Sequence, residues 1–122
     1  MYAPFAAGVA GFLLAACAAT PPAPVAALDA AHLAISNAER ADAGQYAPGE
    51  LAEARSRLEA ANSAVRDTRM LAAERLANES RTEAELASAT TAVNKAQAVN
   101  AEMQRSNGTL IDELNRNAGA QP

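Results

Sequence analysis

Alanine limits what this chain can become. Thirty-five of its 122 residues are alanine, and beyond Cys17 the sole aromatic residue is Tyr46. A methyl side chain buries little area, and burial is worth only ~25 cal/mol per Å², so a thick globular core is out of reach. Alanine is also the best helix former, and it lets helix axes approach closely. The chain therefore predicts an all-α fold of long helices meeting along thin, coiled-coil-like seams. Ten Lys and Arg against fourteen Asp and Glu, interspersed, give a net charge of −4, which argues against a nucleic-acid footprint. A lone Cys and a lone His supply neither an internal disulfide nor a zinc cluster.

The first 27 residues read differently from the rest. Residues 5–16, FAAGVAGFLLAA, carry no charge. As a helix they would reach only about 18 Å, too short to span a bilayer but suited to the apolar part of a signal peptide. Leu14, Ala15, Ala16 and Cys17 then resemble the bacterial lipobox. That resemblance implies a lipid on the Cys17 thiol, cleavage before Cys17 and acylation of the amine so freed; no other cofactor is expected. Ala18 rather than Asp follows the cysteine, which by the same resemblance implies the outer membrane, facing the periplasm. MYAP, at the start, lacks the Lys or Arg usual there. The expected division is a leader at 1–16, a lipidated Cys and Pro/Ala-rich flexible tether at 17–27, a helical domain at 28–106, and a short helix or tail at 107–122.

In the helical part, Leu28, Ala31, Ile35 and Ala38 share one stripe, with Gly44 as the expected stop. His32, near the stripe, reads as a surface or seam residue. A second helix opens at Tyr46-Ala47-Pro48-Gly49-Glu50-Leu51. Ala47 is the expected cap, Pro48 the first helical residue, where a missing N–H costs nothing, and Glu50 lies near the positive end of the dipole. Tyr46 and Leu51 are placed to pack across the start. Leu51, Ala54, Leu58, Ala61 and Val65 form its seam. A five-residue step from Val65 to Met70 predicts a turn capped by Asp67, with one continuous helix as the alternative. A third helix is then expected from Thr68 to Ser106, ended by Ser106-Asn107-Gly108. Its first seam is Met70, Ala73, Ala77, Ala84 and Ala87; its second is Ala89, Ala92, Ala96, Val99 and Met103, with Asn94 and Asn100 close by. The expected architecture is a short hairpin of the first two helices continued by one long Ala-rich helix. The second seam reaches past anything the shorter helices can cover, so it predicts a protein partner or self-association.

AISNAERADAGQYAPGELAEARSRLEAA and AAERLANESRTEAELASA resemble the domain-of-unknown-function family DUF4398, short Ala-rich helical proteins often of lipoprotein type. The resemblance covers roughly residues 26–95. It implies envelope work and brings no established activity; fusion of some relatives to peptidoglycan-binding domains makes a peptidoglycan neighbourhood a possibility by analogy. The residues offer no phosphate loop, metal spacing or nucleophile with a base. The expectation is a non-enzymatic, membrane-anchored periplasmic protein of structural or adaptor type, without small-molecule substrate. A murein-lipoprotein-like coiled-coil oligomer and an accessory subunit of an envelope transport or assembly complex are the alternatives.

Overall fold

The computed structural model describes residues 21–120, so Leu14, Ala15, Ala16 and Cys17 lie outside the described residues. Within them the chain forms α1 (Val25–Arg40), a single turn α2 (Ala43–Tyr46), α3 (Pro48–Arg66) and α4 (Met70–Gly119). The helices α1, α3 and α4 answer to the two short helices and the long one that the sequence pattern predicts, α2 is additional, and both α1 and α3 lie along α4. Contact between α3 and α4 is the most extensive, then α1 with α4, with α1 against α3 much less.

Several boundaries differ from the sequence reading, each for a local reason. The first helix starts at Val25, not Leu28. Pro24 is tolerated at a helix start, and nothing beyond it interrupts helix formation. It ends at Arg40 rather than near Gly44. Asp42 takes the left-handed conformation, φ 72°, a role that short polar residues can fill, and Gly44 is left inside α2. The start of α3 follows the expected chemistry, with Ala47 as cap, Pro48 first and Glu50 in the first turn.

The turn between α3 and α4 is closed by backbone alone. Thr68 N–H donates to Val65 C=O at 3.0 Å and Arg69 N–H to Ala64 C=O at 2.8 Å, the paired bonds of a Schellman motif. Thr68 holds the left-handed position, φ 58°, where glycine is usual. Asp67 therefore closes α3, and Arg69 is the cap residue of α4 with no side-chain capping bond. The expected Asp67 cap is not formed, because Asp67 sits before the αL residue rather than at the start of the next helix.

The core is narrow. Ala31, Ile35 and Ala38 from α1 and Leu51, Ala54 and Leu58 from α3 meet Ala84 and Ala87 of α4. Buried positions on α4 run Ala73, Ala77, Ser80, Ala84, Ala87, Thr91, in alternating steps of four and three. On α3 the seam closes with Ala64 buried and Val65 only partly so, since a straight helix drifts ~20° per heptad from a 3.5-residue repeat. Small side chains bring the backbones together: Ser80 Oγ, one carbon from its own main chain, donates to the Ala54 carbonyl of α3 at 2.7 Å.

The largest departure is at the C-terminal end. Ser106-Asn107-Gly108 does not end the helix, and α4 runs through Gly119 for 50 residues, about 75 Å at 1.5 Å each. One glycine costs about 1 kcal/mol in a helix, less than a break followed by a new nucleation. No proline lies near Gly108 to enforce a stop.

Candidate functional site

Alpha4 is covered only as far as its middle, and a polar clasp marks the limit. Lys95 Nζ meets the Asp42 carboxylate at 2.5 Å and lies 5.5 Å from the centre of the Tyr46 ring. Asn94 donates from its side-chain amide to the Tyr46 carbonyl at 2.6 Å. Alpha2 and the αL residue Asp42 are thereby tied to α4. Nearer the other end, Arg57 of α3 pairs with Glu53 at 2.8 Å and with Glu79 of α4 at 2.7 Å. Arg75 adds a second cation to Glu79 at 2.6 Å. The hydrogen bond from Arg75, and then that from Arg57, hold the Glu79 carboxyl below the usual carboxylate range. Glu79 in turn raises the Arg57 guanidinium. Of these partly exposed pairs Arg57–Glu79 joins α3 to α4, whereas Arg57–Glu53 and Arg75–Glu79 lie within one helix; they make no enclosed site.

Beyond Lys95 no other described segment covers the helix, and among the described residues every one from Ala96 to Ala120 is exposed. At 1.5 Å per residue this free part is about 36 Å long. It is amphipathic. Val99, Met103, Leu110 and Leu114 fall on one side with Ile111 beside them, while Glu102, Arg105, Asp112, Glu113 and Arg116 occupy the other. The apolar stripe does not prolong the buried line of Ala73 to Thr91. It lies about a third of a turn around the helix from it, so neither α1 nor α3 would reach it even if longer.

The residues singled out from sequence thus separate into three groups. Cys17 and its lipobox are outside the described residues. Tyr46, Pro48, Glu50 and Leu51 build the start of α3 and the clasp, with Leu51 2% exposed. Ala89, Ala92, Ala96, Val99 and Met103 are all exposed. His32 is exposed on α1. Sequence reading missed Leu110, Ile111 and Leu114, because Gly108 was expected to stop the helix; the seven-residue step from Met103 to Leu110 was the signal. It also missed Asn94 and Lys95 as clasp residues, since their partners are contributed by a distant turn.

No group of His, Cys, Asp and Glu among the described residues is placed to hold a metal ion. No described helix is long and apolar enough to cross a membrane. The surface depressions are open grooves, such as the one between Ala30, Leu33 and Ala34 of α1 and Arg81 and Glu85 of α4. The exposed half of α4 is the feature that bundle packing leaves unexplained.

The profile of DUF4398, a domain of unknown function, matches residues 26–103. The chain belongs to this family. The DUF4398 match takes in α1, α2 and α3 and the covered part of α4, and it ends at Met103, inside the free part. No curated protein and no solved structure matches the chain.

Proposed function

We propose that this DUF4398 protein is a non-enzymatic lipoprotein of the cell envelope, anchored through Cys17 in the outer membrane and facing the periplasm. Its role is structural or adaptor-like, and the free half of α4 is the docking element. One observation carries the reading. The described chain begins at the end of the bundle farthest from the free helix: Pro21 shares a groove with Thr68, Arg69, Met70 and Leu71, whereas the free part starts beyond Lys95. An anchor upstream of Pro21 and a docking helix at the opposite pole make a spacer, with the helix tip directed away from the lipid and toward the peptidoglycan neighbourhood. Two or more acyl chains give stable attachment, at ~0.8 kcal/mol per buried CH₂.

The test is mass spectrometry of the N-terminal peptide together with fractionation of cells carrying wild type or Cys17→Ser. The expected result is a diacylglyceryl-plus-acyl mass on Cys17 and loss of the variant from the membrane fraction. An unmodified Cys17, or equal membrane retention of both forms, overturns the anchor. Photo-cross-linking from Val99, with Arg105 on the opposite side as control, tests the docking role; equal capture from both positions overturns it.

A further inference from the structure

We infer that the free helix docks on a second copy of itself, as a parallel, in-register pair. This deepens the docking reading above and rests on it only for the orientation toward the membrane. Leu86, Ala89, Val93, Ala96, Asn100, Met103, Asn107, Leu110, Leu114 and Asn117 follow one another in steps of three and four without a break, and all are exposed. In heptad terms Leu86, Val93, Asn100, Asn107 and Leu114 form one row, and Ala89, Ala96, Met103, Leu110 and Asn117 the other. Before Leu86 the line meets Thr82, Glu79 and Arg75, and the last two are engaged in the Arg57 network. The seam therefore starts where that network ends.

Three features select a second copy over other occupants. Asn100 and Asn107 interrupt the apolar line one heptad apart in the same row. A carboxamide both donates and accepts, so the same residue on a parallel partner satisfies it, and Asn in such a row fixes register. A lipid surface or an apolar groove leaves both amides unpaired, and an antiparallel copy aligned over the same line opposes them with Met103 and Ala96. Charge is the second feature. From Leu86 to Leu114, Lys95, Glu102, Arg105 and Asp112 occupy the outermost positions, and Glu113 alone borders the seam. Two identical faces meet without repulsion, and no oppositely charged partner is selected. The third is area. The line is about 47 Å long on a helix about 10–12 Å across, so covering two fifths of its circumference buries on the order of 650 Å² per copy. Stable dimers bury about 600–1,000 Å² per partner. In a parallel pair both bundles lie at one end, as two anchored chains require.

The experiment uses the full chain with Cys17→Ser, so that an introduced thiol is the only one present. Sedimentation equilibrium is expected to give twice the monomer mass. Asn107→Cys is expected to form a disulfide-linked dimer on mild oxidation, and Arg105→Cys on the outer side about tenfold less, because cross-linking needs close Cα atoms. Asn100→Lys with Asn107→Lys is expected to weaken dimerisation roughly 100-fold while the thermal transition, measured at a concentration where both proteins are monomeric, stays in place, since burying paired like charges opposes association. A monomer at ~100 µM, well above the affinity range of specific dimers, overturns the proposal. So does equal linking at positions 105 and 107, or linking of Asn100→Cys to Met103→Cys in preference to itself. The anchoring is scored separately. A dimer whose wild-type Cys17 carries no lipid defeats the anchor alone, and a lipidated chain that stays monomeric defeats the pairing alone.

Discussion

The two halves of α4 invert the usual placement of side chains. In the covered half the buried positions hold Ala73, Ala77, Ser80, Ala84, Ala87 and Thr91, and the largest fully buried side chains of the described chain are Thr91 and Ser80. In the free half Val99, Met103, Leu110, Ile111 and Leu114 are each more than half exposed. The bundle spends its small residues on close backbone approach and leaves larger apolar ones in water. Isolated exposed apolar residues are ordinary, but a contiguous line of them marks an interaction surface. The same helix thus has one half packed against its own chain and one half free for the second copy proposed above.

This contrast can be broken most directly by shortening one leucine in each region. Leu51→Ala, at a buried position, is expected to cost about 2–5 kcal/mol in urea unfolding. Leu110→Ala is expected to cost less than about 0.5 kcal/mol at concentrations that keep the chain monomeric. Similar losses would mean that the free half folds back onto the bundle. Enlarging an alanine probes the opposite sense. Ala84→Leu, at a site with no exposure, is expected to destabilise by about 1–3 kcal/mol through overpacking, whereas Ala98→Leu on the exposed side should leave the unfolding midpoint unchanged. An equal response at both would show that the alanine seam is loose enough to accept a leucine.

A smaller effect of the opposite sign is expected at the turn that separates α3 from α4. Thr68 is β-branched and left-handed, a conformation costing about 1–2 kcal/mol for a residue with a Cβ. Thr68→Gly is expected to recover about 1 kcal/mol of this, net of glycine's greater freedom in the unfolded chain, read as a higher melting temperature. A lower melting temperature would mean that the threonine side chain contributes more than its backbone strain costs.

The least effect is the pH response of the Arg57 network, which exists only in the covered half. Glu79 is held below the ordinary carboxylate range by Arg75 and Arg57. Its stabilisation is full above the unfolded value of about 4.3 and fades as pH falls through the lower folded value. Glu79→Gln should therefore be less stable than wild type at pH 7, with the gap closing in acid. A gap unchanged from neutral pH into strong acid would assign the loss to packing instead.

Much of the fold was legible in residue types. Proline at the start of α3, alanine periodicity on α1 and α3 and the broken phase between Val65 and Met70 all act through local backbone chemistry, which a linear reading captures. The α4 terminus was misplaced for a related reason: Gly108 is a local signal, but a helix this long is ended only by a cost greater than one glycine imposes. Asp42 as the left-handed residue was hidden because Gly44 stood two positions away with the better propensity.

From sequence alone, then, came the helical class, the thin seams, the start of α3 and the apolar line from Ala89 to Met103, since alanine content and side-chain period dictate them without knowledge of neighbours. Only the tertiary structure decided how far α4 is covered. That limit depends on where Asp42 and Tyr46 reach across to Lys95 and Asn94, contacts between residues about fifty positions apart. No local propensity encodes them, because they exist only once α1 and α3 have packed on the long helix and brought the α2 turn against its middle.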